Sequence, residues 1–206
     1  GYGALNNQAG TGGARFATAT IGIGYQSQLS LTTGAKNLAV GHQSSYYNQT
    51  GSDNTYLGHW AGSGTSGSHS NNVGIGSSAL GVVSTGSSNT AVGKGSMVAL
   101  TTGQRNVALG YQSLNALTNN SADTANGNIA VGYNSLSTLQ TGASNIAIGT
   151  DALYSANGAI SNCTVIGTRA GDALNSTDAN GTVLVGYFAG SGLTSGGGNT
   201  AVGYQS

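Results

Sequence analysis

The phrase Asn-Thr-Ala-Val-Gly-Tyr-Gln-Ser at residues 199–206 is nearly repeated at residues 37–44, 89–96, 106–113 and 128–135. This recurrence constrains the fold more than any other feature of the chain. Taking the glycine that closes each phrase as an anchor, its equivalents are Gly1, Gly24, Gly41, Gly58, Gly76, Gly93, Gly110, Gly132, Gly149, Gly167, Gly186 and Gly203, at a basic spacing of 17 residues with short insertions. A fixed period of this length marks a solenoid, in which one repeat cannot bury its own apolar face and must stack on its neighbours. The 206 residues therefore read as a single array of about twelve coils.

The columns of the repeat specify the coil. The residue before the anchor is aliphatic wherever it is present, as in Ile23, Val40, Leu57 and Val92, and the residue three before it is β-branched or Leu, as in Ile21, Leu38, Thr55 and Val73. Spacing by two puts these columns on one face of a strand, and three or four such residues bounded by Asn and Gly are too short for a helix. A second apolar row follows seven residues after the anchor, at Leu31, Val83, Leu100, Leu117, Leu139, Leu174 and Leu193, and is expected to pack against the first from the opposite wall. A Thr-Gly turn comes next, as at Thr102-Gly103. The fold class is thus all-β, a parallel β-solenoid.

Between the two strand columns lies a third, with Ala39, Ala91, Ala108, Ala130, Ala147 and Ala201 beside Gly22 and Gly74. By alternation it faces away from the first two, and a strand apolar on both faces is usually covered on both. The small side chains predict another backbone close by, supplied by three copies about an axis, so a homotrimer is expected. Tyr56, Val165 and Leu184 break this column and would crowd such an axis.

Stacking also accounts for the composition. Equivalent residues in successive coils are about 4.8 Å apart, so a repeated charge would repel its copies by about 0.9 kcal/mol per pair even in bulk water. Only 5% of residues are charged, and there is no Glu or Pro. Asn recurs four before the anchor at Asn37, Asn54, Asn72, Asn89, Asn106, Asn128, Asn145 and Asn199, a pattern suited to a ladder of amide hydrogen bonds. The five basic residues are scattered singly, which argues against nucleic acid as a partner. No apolar run reaches 18 residues, so no membrane insertion is expected in this segment. The lone Cys163 reads as a buried, inert thiol.

With these columns, the phrases at residues 106–113, 128–135 and 199–206 resemble the Asn-x-Ala-[Ile/Val]-Gly-x-x-[Ser/Ala] coils in the heads of trimeric autotransporter adhesins, and equally the related repeats of phage tail fibres. The small residue three after the anchor fits throughout, from Ala4 and Ser27 to Ala189 and Ser206. The resemblance implies a trimeric left-handed β-roll used for attachment at a surface. The longer coil, with its extra Leu and Thr-Thr-Gly half, favours the phage-fibre relatives. The chain then reads as a shaft segment of a longer fibrous protein on a virion or cell surface, with itself and surface glycans as partners. A trimeric autotransporter adhesin and an extracellular filament or matrix protein are the alternatives. An ice-binding solenoid would need a flat paired-threonine face, and Thr18-Ala19-Thr20 is the chain's single Thr-x-Thr.

Enzymatic readings are weak. Gly74 to Ala79 spells a dinucleotide fingerprint, yet no helix follows and other coils carry the same columns without the first glycine. His42 and His59 fall in one column and, with Asp53, suggest a metal or acid/base site, but a third well-placed ligand is missing and a solvated face accounts for them better. No catalytic residue and no cofactor is assigned, and the expectation is a non-enzymatic protein. The column after the anchor also holds Tyr2, Tyr25, Tyr111, Tyr133, Tyr187 and Tyr204, with Trp60 and Phe188 at the next position. Aromatic rows can stack on sugar rings, or can simply cover the coil, each pair contributing about 0.5–1.5 kcal/mol. Contacts to a ligand are expected where the template breaks: the insertion Asn119 to Gly127, the irregular stretch after Gln8, and the cluster Tyr46, Tyr47, Tyr56 and Trp60. The candidate glycan-contact residues are Tyr46, Tyr47, Trp60, Tyr111, Tyr133, Tyr187 and Tyr204.

Overall fold

The structure, a computed structural model, describes residues 2–4, 18–118, 125–156 and 159–206. It contains eleven strands of three residues: β1 Ile21–Ile23, β2 Leu38–Val40, β3 Thr55–Leu57, β4 Val73–Ile75, β5 Thr90–Val92, β6 Val107–Leu109, β7 Ile129–Val131, β8 Ile146–Ile148, β9 Thr164–Ile166, β10 Val183–Val185 and β11 Thr200–Val202. They form one parallel sheet in sequence order. Pairing keeps the repeat register, so that Ala91 faces Ala108 and Ala108 faces Ala130. The chain is a parallel β-solenoid of about ten complete turns; the first anchor, Gly1, lies outside the described residues. No helix among the described residues is long and apolar enough to cross a membrane.

The anchor glycine is fixed by the next coil. At Gly41 φ is +139°, and a Cβ there would sit 2.3 Å from the carbonyl oxygen of Gly58. Only a residue without a side chain permits that approach.

Three further positions in each coil turn through left-handed backbone. In the coil after Gly41 they are Gln43, Ser45 and Asp53, with φ of 51°, 53° and 60°. Such a conformation costs an L-residue about 1–2 kcal/mol. Each of the three amides is directed at a neighbouring coil: Gln43 donates to the Tyr25 carbonyl at 2.8 Å, Ser45 to Ala61 at 2.9 Å and Asp53 to Ala35 at 3.0 Å. Ladder bonds thus run through the bends as well as the strands, and they offset the strain.

The asparagine ladder forms as the sequence predicts. Asn54, Asn72, Asn89, Asn106, Asn128 and Asn145 each donate a side-chain N–H to the Oδ1 of the preceding asparagine. The same amide reaches across the coil to a carbonyl on the opposite wall, as Asn89 does to Gly103 at 2.8 Å. The ladder stops at Cys163, whose backbone N–H still donates to Asn145 Oδ1 at 3.1 Å while its thiol donates to the Ala179 carbonyl. Cys163 is fully buried, and burial pushes its thiol pKa up.

The second apolar row is also where expected. Leu31, Val83, Leu100, Leu117, Leu139 and Leu174 are fully buried, and Leu193 packs against the same core.

The strand faces are the reverse of the sequence expectation. Ala39, Ala91, Ala108, Ala130 and Ala147 point into the coil and are fully buried, whereas Ile23, Leu109 and Val202 are 56%, 38% and 67% exposed. The interior is narrow and already filled from the other side, so the strand contributes a methyl group or less. Tyr56, Val165 and Leu184 therefore crowd no outer axis; they are core residues, also fully buried. The residue four after the anchor compensates for them. Ala91, Ala108, Ala130 and Ala147 are matched with Met97, Leu114, Leu136 and Leu153, whereas Tyr56, Val165 and Leu184 are matched with Gly62, Gly171 and Gly190. A Cβ on Gly62 would meet the Tyr56 ring at 2.3 Å, and one on Gly190 would meet Leu184 Cδ2 at 2.6 Å. Core volume is conserved within these coils, as close packing demands.

Candidate functional site

The residue after each anchor projects outward where the strand bends away, so aromatic residues in this column stack along the rod. Tyr2, Tyr25, His42 and His59 form a continuous run with ring centroids 5.9, 5.1 and 5.2 Å apart. Tyr111 stacks on Tyr133 at 5.3 Å, and Tyr187 on Tyr204 at 5.3 Å. Ser77 and Lys94 separate the first group from the second, and Thr150 and Thr168 the second from the third. The four tyrosines Tyr111, Tyr133, Tyr187 and Tyr204 pair with one another as surface stacks and do not join Tyr46, Tyr47 and Trp60.

His42 and His59 are neighbours as their column requires, but Asp53 is directed elsewhere, with Lys36 Nζ 4.0 Å from its carboxylate. Among the described residues no group of three or more His, Cys, Asp or Glu is arranged to hold a metal ion. The first glycine of the fingerprint-like stretch, Gly74, lies inside β4 because a Cβ there would be 2.8 Å from the Tyr56 ring. Its role is steric.

The cluster at Tyr46, Tyr47 and Trp60 is a built feature. These residues belong to two adjacent coils in which the apolar row is interrupted, since Asn48 and Thr65 stand seven after their anchors where the other described coils carry Leu, Val or, at residue 156, Ala. Asn48 fills its place by closing a turn, its side chain bonding the N–H of Gly51 at 2.9 Å and the Gly51 carbonyl at 3.1 Å. In the next coil Tyr56 and His69 fill the core, with the phenolic oxygen 2.9 Å from Nδ1 and the ring centroids 5.7 Å apart. Tyr56 is thus part of the interior rather than of the surface cluster proposed from sequence.

Gly62-Ser63-Gly64 then leaves a notch between the bulky Tyr46–Tyr47 pair of one coil and Val82 and Val98 of the following two. The notch is a cleft of about 410 Å³ lined by Gln43, Tyr46, Tyr47, Trp60, Ser63, Gly64, Ser78, Gly81, Val82 and Val98. Tyr46 and Tyr47 meet edge to face at 4.5 Å. Trp60 lies flat against His59, 5.4 Å between centroids and 9° between planes. Its indole N–H donates to Gln43 Oε1, and Gln43 in turn donates to Gln26 Oε1 at 2.8 Å. The ring is held from two directions, by stacking and by a side-chain relay. No charged side chain lines the cleft.

A second, more polar cleft of about 340 Å³ lies among Asn134, Asp151, Tyr154, Arg169 and Asp172. Arg169 is committed there, bonded to Asp172 at 2.9 Å with its guanidinium 4.7 Å from the centre of the Phe188 ring.

Sequence reading found the three aromatics but not Gln43, the serines or the glycine floor. The signal for them was present in the loss of Leu at residues 48 and 65 together with the Gly-Ser-Gly at residues 62–64. Of the other template breaks, residues 8–17 and 119–124 lie outside the described residues, while Ala125 is buried and its carbonyl accepts from Asn106 at 2.9 Å.

No protein-family model, no curated protein and no solved structure matches the chain.

Proposed function

We propose that this chain is a non-enzymatic shaft segment of a homotrimeric fibrous attachment protein, of the kind carried by phage tails, acting on a virion or another extracellular surface. The observation that carries the reading is the outer face of the sheet. Every residue just before an anchor is Ile, Val or Leu, the column two before that is aliphatic or Thr, and neither column contains a charge across all eleven strands. At about 4.8 Å per strand this stripe runs for about 50 Å. Folding of one chain does not require it, since these residues remain exposed or half-buried, and parallel sheets are normally covered on both faces.

Three copies packed about a common axis, each turning this face inward, cover the stripe on every chain at once and leave the tyrosine column and the Trp60 cleft outside. The axis is lined by the aliphatic columns, not by the alanines that the sequence suggested. A left-handed coil completes the proposed architecture. Attachment fits the rest of the surface, which is nearly uncharged, stiffened by ladder bonds and marked by aromatic side chains projecting from the rod.

Sedimentation of the purified chain tests the assembly: the expected mass is three times 20.1 kDa. Leu109→Glu together with Ile148→Glu should give a monomer that keeps its β-sheet circular dichroism. A wild-type chain that sediments as a monomer overturns the trimer. Attachment itself is read by binding of the labelled chain to whole bacterial cells, and its absence for all cells tried, with turnover of a surface glycan instead, would overturn the non-enzymatic shaft.

A further inference from the structure

We propose that the cleft beside Trp60 is a binding site for one or two units of an uncharged saccharide. This inference rests on the reading of the chain as an attachment shaft and assigns that shaft a ligand class.

The cleft is built where two coils depart from the repeat template. Trp60 occupies a left-handed bend, with φ of 57°, at a position where the neighbouring coils carry Gln26, Gln43, Ser78 and Gly95. Small and amide side chains tolerate that conformation, and a bulky aromatic there is strained; Phe188, with φ of 55°, is the other aromatic in this column. Gly62 is required by the Tyr56 ring behind it, and Gly64, with φ of +74°, by the Val83 carbonyl oxygen 2.7 Å from where its Cβ would sit; Ser63 stands between them. They deepen the notch and bring the buried Ser63 and Gly64 to its floor.

The chemistry of the lining selects the ligand. The Trp60 indole N–H is already used on Gln43, so what the residue offers a ligand is its ring face. His59 stacks on the indole, yet Trp60 remains 47% exposed and lines the cleft together with Tyr47, which is also 47% exposed. Apolar ring faces beside isolated hydroxyls suit a pyranose, whose axial C–H bonds lie on aromatic planes while its equatorial hydroxyls reach hydrogen-bonding groups at the rim. Ser63, Ser78, Tyr46 and Tyr47 supply hydroxyls that make no side-chain hydrogen bond among the described residues. Phosphorylated and sialylated ligands find no cation here, because neither Lys nor Arg lines the cleft. The volume is at the lower end of the roughly 300–1,000 Å³ typical of small-molecule sites, which suits one or two sugar rings and not a long chain. A trimer would carry three such clefts, so a site that is weak alone gains strength on a repetitive surface.

Trp60 is the chain's only tryptophan, which makes its fluorescence a direct reporter. The intact chain is titrated with maltose, cellobiose, lactose and chitobiose, with sialyllactose and a proline-rich peptide as competitors of different chemistry. Saturation-transfer NMR reads the sugar protons in parallel. The expected result is a saturable change in Trp60 emission with at least one neutral sugar, saturation transfer to its ring C–H protons, and no response to sialyllactose or peptide. Tyr47→Ala should weaken binding at least tenfold with the reporter intact, and Trp60→Ala should abolish saturation transfer without changing sedimentation. Binding that survives both substitutions, a response to the acidic sugar or the peptide alone, or no response to any neutral sugar overturns the assignment. If Trp60→Ala fails to fold, Tyr47→Ser decides by the same readout. Sedimentation of the same samples separates the two proposals: a trimer that binds no sugar refutes the cleft alone, and a monomer that binds sugar refutes the trimeric shaft alone.

Discussion

The phenolic oxygen of Tyr56 lies 2.9 Å from Nδ1 of His69, with both side chains fully buried where the apolar row of the solenoid is interrupted. The pair replaces a leucine contact with a polar one. It leaves His69 Nε2 without a partner, close beneath Gly64 and therefore just under the floor of the Trp60 cleft.

That arrangement makes stability pH-dependent. Burial pushes the His69 pKa down from 6.5 to about 4, and the groups that meet the imidazole, Tyr56 and Gly64, include no acid, while Asn54 bonds the His69 backbone carbonyl. Burial also pushes the Tyr56 phenol up, so it stays protonated. The unfolded chain takes up a proton near pH 6.5 and the folded chain resists it until about pH 4, so stability is full above the first value and is lost as pH falls toward the second. The loss approaches ~3 kcal/mol. Urea melts at neutral pH and near pH 4 should show it in the wild type and not in the double variant Tyr56→Phe, His69→Leu. An equal loss in the double variant would place the effect elsewhere.

Core volume within a coil should behave as a two-residue sum. Ala108→Leu alone overfills the space that Leu114 occupies and should cost about 1–3 kcal/mol. Adding Leu114→Gly should recover most of this, because the same combination is native at Leu184 and Gly190. A double-mutant cycle measures the coupling, and additive effects would show that the two side chains do not share a site.

Loss of one rung of the asparagine ladder should be costly. Asn89 donates to Asn72 and to the Gly103 carbonyl, and its Oδ1 accepts from the Asn106 backbone at 3.0 Å. Asn89→Ala orphans buried groups on both sides, with an expected loss of about 2–4 kcal/mol in denaturant melts. Cys163→Asn tests the converse. It extends the ladder past Asn145 and offers an N–H to the Ala179 carbonyl that the thiol now meets at 3.2 Å, so a gain of about 1 kcal/mol is expected.

Gly110→Ala should be far worse than an ordinary glycine substitution. With φ of 140°, its Cβ would lie 2.3 Å from the Gly132 carbonyl oxygen, and neither backbone can move without breaking the ladder. A loss beyond about 4 kcal/mol, or failure to fold, is the expected outcome. Gly192→Ala, where a Cβ meets nothing within 4 Å, is the control.

Several features of this protein were determined by sequence alone. The anchor spacing fixes the period, because a coil can template only a copy of itself. Asparagine at one column and leucine at another need no tertiary information, since stacking makes each residue its own neighbour in the next coil, as Asn89 is bound to Asn72 and Asn106. The aromatic cluster of Tyr46, Tyr47 and Trp60 was visible as a departure from the template. The inward face of the strand was not legible. Three residues such as Val107-Ala108-Leu109 are apolar on both sides, so alternation gives two columns and no contrast in polarity to say which one is interior. The tertiary structure decides it by volume, because Leu114 and Leu117 already fill the interior from the far side and leave room for a methyl group only, which puts Ala108 inside and leaves Val107 and Leu109 facing out. The inverse sizes of Ala108 with Leu114 and of Tyr56 with Gly62 record the same decision, but in residues that become partners only once the chain has turned back on itself.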